Sequence, residues 1–417
     1  MVVAQAAGRV DVYRAENEAP LPHWPLTLMV SAYPVWFLLG LGGFMWVLLA
    51  APMAASLVRR RDLAAPKGIG LWVVFLVAVA GSALSIENVD RFAGYLLRFG
   101  YYAAATVFLL YLLNGGSGVS VPRIVRAFTV LWSLAIVGGY LALLLGDVSF
   151  RSPTYYLLPA SLVANDLIGT LVEPGFAQVQ NIIGFPAPRP KAPFPYTNSW
   201  GSMVALTTPF AFMALGDRQV GISPRLIKVM LWLSVVPIVV SLNRGLWLSL
   251  GIGVTYAAFR FGAGGRTRTV ARLAVVVVAA AVALAISPLG DLVASRVGSG
   301  HSNGDRFELV AAALRGAAER PIFGWGAPRP NVRNLPSIGT HGQLWLVTFS
   351  HGFVGAIGFV GALVTFFVKT RRQSTATGLW AHSVLLIALV QLPVYLLIPH
   401  SLFAVMAAVA IALRSQR

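Results

Sequence analysis

Apolar residues in this chain come in long runs separated by short polar stretches. A helix needs roughly 20 apolar residues to cross a hydrocarbon core. On that ruler the runs near 27–56, 69–86, 94–113, 127–146, 199–216, 227–242, 245–261, 272–289, 342–368, 377–397 and 399–413 each predict a membrane span. The first run is interrupted by Pro34, Gly40, Gly42 and Gly43, so it reads either as one tilted helix or as a tight hairpin of two short ones. The expected fold is all-α and polytopic, with eleven or twelve spans. Twelve, with both ends cytoplasmic, is the preferred count. No internal repeat or appended soluble domain is evident, so 1–417 reads as a single integral membrane domain.

The polar stretches are of two kinds. Arg59, Arg60, Arg61 and Lys67; Arg123 and Arg126; Arg218, Arg225 and Lys228; Arg260, Arg266, Arg268 and Arg272; Lys369, Arg371 and Arg372; and Arg414 and Arg417 fall on one side if the spans alternate. The positive-inside rule makes that side cytoplasmic. Two long loops, 147–198 and 290–341, lie on the other side. The first ends in a Pro-rich stretch from Pro186 to Ser199, which reads as an ordered but irregular segment lying on the membrane. The second predicts a helix over 305–320, with Ser302, Asn303 and Asp305 as candidate caps, Phe307, Val310 and Leu314 on one face and Pro321 as the stop. Loops of this length are seldom idle. Both carry arginines against the charge bias, and guanidinium groups pair bidentately with phosphate. External arginines therefore point to an enzyme handling a phospholipid-linked substrate.

Composition excludes the soluble alternative, because 57% hydrophobic against 11% charged residues leaves too little polar surface to cover the core. A net charge of +18 would suggest nucleic acid in a soluble protein. Here the basic residues sit between apolar runs and need only anionic lipid headgroups, so no nucleic-acid partner is expected. There is no Cys, so the loops hold their shape without disulfides. Residues 1–24 lack the apolar stretch and cleavage site of a secretory signal, and the first run is expected to be a retained anchor.

Three residues are candidates for chemistry. Arg244, between two spans with almost no loop to carry it, reads as a snorkelling interface arginine or as a phosphate clamp facing a polar cavity. Arg306 falls in the first turn of the external helix, where its charge opposes the helix dipole. It is either a solvated surface arginine or half of an anion site completed by free backbone N–H groups. His341 lies where the second loop enters a span, a place that disfavours the cationic imidazole and suits a base near neutral pH. An interfacial histidine bonded to a carbonyl is the alternative. His23, His301, His351, His382 and His400 are weaker candidates. No metal, nucleotide or hydrolase motif is present. Glu87-Asn-Val-Asp90 is the nearest acidic pair and reads more simply as the polar end of a helix.

Ser241-Leu-Asn-Arg244-Gly-Leu-Trp, Gly304-Asp-Arg306, Pro321-Ile-Phe-Gly324-Trp-Gly326 and His341 with Leu344 and Gly352-Phe-Val-Gly355 follow one another in an order that resembles the O-antigen ligase and O-antigen polymerase superfamily. Pro195-Tyr-Thr-Asn198-Ser199 is similar to that family's loop before its middle spans, and the resemblance covers roughly 180–370. His341 is followed by Gly342 where an Asn is frequent in the family. The resemblance implies a cofactor-free, metal-independent, inverting glycosyltransferase of the outer leaflet of the bacterial inner membrane. Its donor would be a glycan on a polyprenyl (undecaprenyl) diphosphate, and its acceptor a glycan, lipid or protein. Arg244 and Arg306 would stabilise the departing diphosphate and His341 would deprotonate the acceptor. Arg189, Lys191, Asn198, Arg329 and Arg333 are expected to contact phosphate or sugar, and Tyr196 or Trp325 to stack on a sugar ring.

The rival classes are a metal-dependent glycosyltransferase using Glu87 and Asp90, and a transporter or flippase of a lipid-linked or anionic substrate. Transporters place ionisable groups at mid-membrane, whereas here only Arg98 sits well inside a span. The topology is testable because the chain is Cys-free. A cysteine introduced at Asn303 should be labelled by an impermeant maleimide from outside, and one at Arg266 should be protected. The opposite pattern would invert the whole orientation.

Overall fold

The computed structural model describes residues 20–181, 186–285, 290, 293, 295–296, 303–330 and 337–416. The first hydrophobic run is broken. Helices α1 (Trp24–Ser31) and α2 (Tyr33–Leu39) end at Gly40, whose φ of 72° favours glycine, and the chain returns through α3 (Met45–Leu48) and α4 (Ala50–Val58). Because α1 packs on α4 and the Tyr33 hydroxyl donates to the Gly42 carbonyl at 3.1 Å, this run is a hairpin of short helices.

After the hairpin come α5 (Ile69–Gly81), α6 (Val89–Leu113) and α7 (Val121–Leu145). The first long loop folds into α8 (Pro153–Leu157), α9 (Ala160–Val163), α10 (Asp166–Val172) and a ribbon of β1 (Ala177–Asn181) with β2 (Pro186–Pro190). Then follow α11 (Thr197–Gly216), α12 (Pro224–Val240), α13 (Arg244–Ala263), α14 (Thr267–Ala285), α15 (Asn303–Glu319), α16 (Gln343–Lys369), α17 (Ala376–Gln391) and α18 (Ser401–Arg414). Among the described residues, four helices, Arg91–Leu113 within α6, α7, α13 and α16, are long and apolar enough to cross a membrane by themselves. The fold is thus the all-α polytopic bundle expected. At its centre α18 is buried from Ser401 to Ala412 and apolar on every side, as a helix enclosed by other helices must be. It packs on α6, α11 and α17, and α11 in turn packs on α7, α13 and α17.

One local expectation is corrected. The Pro186–Pro190 stretch is a strand, antiparallel to β1 with Gln178 opposite Arg189 and Gln180 opposite Ala187. Prolines at 186, 188 and 190 leave N–H donors only at Ala187 and Arg189, which is the alternation one side of a ladder requires. In α15 the face of Phe307 and Leu314 is turned outward: Phe307 is 75% and Leu314 41% exposed, whereas Leu309, Ala313 and Ala317 are buried. Small residues decide this, because the side chain of Phe349 needs the space over Gly316, where a Cβ would fall 2.5 Å from its ring.

The segment after α15 is stitched into a break in α16. Gly352 leaves the helical conformation at φ 68° and ψ −175°. The carbonyls of Phe349 and Ser350 accept from Trp325 N (3.0 Å) and Gly326 N (2.8 Å), while Phe353 N donates to Pro321 O (2.8 Å). The approach is so close that a Cβ at Gly352 would lie 2.5 Å from the Ile322 carbonyl, and one at Gly324 would lie 2.5 Å from that of Phe349. The opposite end of the bundle is tied by arginines on carbonyls. Arg60 donates to Asn114 O, Arg260 to Arg371 O, Arg266 to Ser374 O and Arg414 to Leu112 O and Val119 O, so the basic loops gather at one end.

Gly352→Ala should destabilise the protein by on the order of 3 kcal/mol, since it adds a glycine-only backbone conformation to a backbone collision. Gly70→Ala, at a helical position with nothing within 4 Å of the added carbon, is the control and should melt at or above the wild-type temperature. Thermal melting of the two detergent-solubilised variants checks this, and equal melting temperatures would refute the stitch as a structural constraint.

Candidate functional site

Four helix starts or helix faces meet around a largely buried non-helical turn, residues 392–400, between α17 and α18. Gln343, the first residue of α16, is fully buried. Its backbone N–H donates to Tyr395 O (2.7 Å), its Nε2 to the Tyr102 hydroxyl on α6 (2.8 Å), and its Oε1 accepts from Leu397 N (3.0 Å). The Tyr395 hydroxyl donates to Asn243 Oδ1, and Asn243 Nδ2 donates to the Thr197 carbonyl at the start of α11 (3.3 Å). The result is a polar circuit joining α6, α16, the 392–400 turn, α13 and α11. Glycines make room for it: a Cβ at Gly201 would fall 2.3 Å from Asn243 Nδ2, and one at Gly245 2.5 Å from the Tyr395 hydroxyl.

Arg244 and His341 are both carried on this circuit. Arg244 is half-buried and opens α13 directly after Asn243. The turn that presents it is tight, with Leu242 at φ 51°, an uncommon value for a residue with a branched side chain. Two buried arginines hold it, Arg189 Nε donating to Ser241 O (2.7 Å) and Arg296 Nε to Leu242 O (3.1 Å). His341 is half-buried two residues before Gln343, with Nδ1 3.3 Å from Thr340 Oγ1. Arg306 lies in the first turn of α15, and its side chain is outside the described residues, as is all of Arg333.

The remaining expected contacts are distributed more widely. Arg189 also donates to Gln180, so both of these bonds serve the β-ribbon and the Arg244 turn. Tyr196 precedes α11 and donates to Thr170 Oγ1 at 3.2 Å, beside the exposed Asn198. Lys191 packs over Gly175, and its burial lowers its pKa while nearby Asp147 acts in the opposite direction. Trp325 is only 9% exposed, and the guanidinium groups of Arg320 and Arg329 lie 3.8 and 3.6 Å from its ring centroid. The stacking position expected for a sugar is thus taken by the protein's own arginines. Glu87 pairs with both Arg320 (3.4 Å) and Arg329, which commits the carboxylate that a metal-dependent alternative would use. Arg91 completes the cluster by donating to the carbonyls of Trp325 (2.8 Å) and Ala327 (2.6 Å).

The sequence reading missed Gln343, Tyr395, Tyr102, Asn243 and Arg296 as parts of the site. Gln343 and Asn243 stand within two residues of His341 and Arg244 and could have been found as the polar residues nearest the candidates. Tyr395 and Tyr102 belong to apolar runs and carry no such signal.

Compared with known proteins, residues 229–360 match the profile of the O-antigen ligase family, a stretch that contains Arg244, Arg306 and His341. The match places this segment in the O-antigen ligase and polymerase superfamily, and together with the apolar helices it makes the chain an integral membrane protein. No curated protein matches the chain.

Replacing Gln343 with Leu removes a partner from the Tyr102 hydroxyl and from the Leu397 N–H. An unsatisfied buried polar group costs about 1–3 kcal/mol, so Gln343→Leu should lower the melting temperature measurably in detergent. A wild-type melting curve would show that the circuit does not hold the helix starts together.

Proposed function

We propose that the protein is a glycan-transferring enzyme of the bacterial inner membrane, acting at its outer face. It would take a glycan from a polyprenyl-diphosphate donor and pass it to an acceptor hydroxyl, either as a ligase or as a polymerase. The observation that carries this reading is the polar circuit, which links the helix starts presenting Arg244 and His341 within the segment matching the O-antigen ligase family.

The chemistry needs a stabilised leaving group and a base. As the sugar C1–O bond breaks, negative charge grows on the diphosphate oxygen. Guanidinium groups held in a water-poor cleft stabilise that charge without reorganising. Arg244 would act on it from the rigid α13 start and Arg306 from the first turn of α15. Meanwhile the acceptor oxygen forms its bond to C1 on the opposite face and loses its proton to His341, giving inversion. Thr340 Oγ1 already donates to Ser337 O at 2.6 Å, so towards His341 Nδ1 it acts as acceptor. That contact suits an Nδ1–H tautomer with the Nε2 lone pair directed elsewhere as the base. No metal or other cofactor is required by this scheme.

Loss of a positioned base costs about 10²–10⁴-fold in rate. His341→Ala should therefore nearly abolish transfer by the purified protein while donor binding persists, and His341→Gln should be almost as inactive. Retention of more than about a tenth of the wild-type rate at neutral pH would make the histidine structural. Arg244→Ala should lose roughly ten- to hundredfold in turnover, as expected for a charge-assisted hydrogen bond, with Arg244→Lys recovering only part of it.

A further inference from the structure

Arg98 is a charged side chain two turns inside α6, a helix that is long and apolar enough to span a membrane. Charges at such depth are costly, and they persist where they meet a partner or a ligand. Its guanidinium bends back along the helix into the space over Gly94, where a Cβ would lie 2.9 Å from an Arg98 nitrogen and 3.6 Å from the Asn165 amide nitrogen. Arg98 forms no hydrogen bond or ion pair with another described residue. The groups within its electrostatic reach are the phenols of Tyr102, Tyr101 and Tyr196, the imidazole of His351 and the guanidinium of Arg91. None of these is acidic enough to neutralise a guanidinium near pH 7. The Tyr101 hydroxyl, wholly buried, is itself without a hydrogen-bond partner among the described residues.

The position of Arg98 relative to the site is fixed by its neighbours. Tyr102, one turn further along α6, is the phenol that accepts from Gln343. Tyr196 immediately precedes Thr197, whose carbonyl accepts from Asn243 beside Arg244. Arg98 therefore closes the circuit from the inside, between the α16 start that carries His341 and the α11 start that adjoins Arg244. From the geometry we infer that Arg98 is a donor-binding residue, a guanidinium set at lipid depth to receive a phosphate ester carried on a polyprenyl chain. This rests on the proposed donor. It accounts for a cation that the bundle does not neutralise, because a lipid-linked diphosphate brings its own charge to that depth. Tyr101, whose hydroxyl has no partner among the described residues, would add a hydrogen bond to the same oxygens.

The test is binding of undecaprenyl diphosphate to the purified protein in phosphatidylcholine nanodiscs, with undecaprenol as the uncharged control. Arg98→Ala should weaken diphosphate binding about ten- to hundredfold, the range for a hydrogen bond to a charged group, and leave undecaprenol binding unchanged. Arg98→Lys should recover part of the loss. Arg98→Gln, which keeps polar reach without charge, gives the same reading if the alanine variant does not insert. Wild-type binding that Arg98→Ala leaves intact overturns the assignment of Arg98 alone, whereas a wild-type protein that does not bind the diphosphate overturns the donor reading itself. If phosphatidylglycerol in the disc abolishes the difference between wild type and Arg98→Ala, the residue serves a bilayer headgroup and the donor assignment fails.

Discussion

Inside a bilayer every backbone N–H and C=O outside a regular helix must find its partner within the protein, and at the 392–400 turn much of that demand is met through Gln343. One side chain and one amide join the turn to α6 and to the head of α16, with Leu344 N adding a bond to Leu392 O at 2.9 Å. Irregular backbone at this depth is tolerated where it is enclosed by protein or lines a cavity. Here it does the former, and the enclosure is what brings several helix starts to one place. The candidate site follows from that convergence: Arg244, His341 and Tyr196 all sit at helix starts because those are where chains turn back toward the same region.

The same constraint explains where most of the basic surplus goes. Arg189, Arg296 and Arg91 each donate to backbone carbonyls, and Arg189 also to the Gln180 side chain. A guanidinium carries five donors in a rigid fork, which suits it to clamping a strained turn such as Ser241–Asn243 from two sides. Arg320 and Arg329 are similarly committed, to Glu87 and to the face of Trp325. Charge against the positive-inside bias is thus a signal of demand for donors, and these donors serve the fold.

The hydropathy pattern carried the bundle, the broken first run and the existence of α15, because run length and Gly/Pro interruptions act locally. It did not carry the orientation of α15. Phe307 and Leu314 are apolar at helical spacing, but in a membrane protein apolar residues have two solvents to choose from, the core and the lipid. Small residues at Ala313, Gly316 and Ala317 mark the packed side instead. The Pro186–Pro190 strand was hidden for a different reason: proline at alternate positions looks like an irregular coil until its partner supplies a ladder that needs donors only at the positions between. Tyr395 and Tyr102 were illegible because they lie within apolar runs and nothing in their spacing sets them apart there.

Glycines give the site a signal of their own. Asn243 lies over Gly201, the Tyr395 hydroxyl over Gly245 and the Arg98 guanidinium over Gly94, each within 3 Å of where a Cβ would stand. Small residues in membrane helices allow close approach, usually of another backbone. Here they admit polar side chains, which lets hydrogen-bonding groups reach into the bundle without forcing its helices apart. At Gly94 and Arg98 the glycine four residues before the charge gives its guanidinium that room. The glycine lets that charge fold back along its own helix instead of being driven outward.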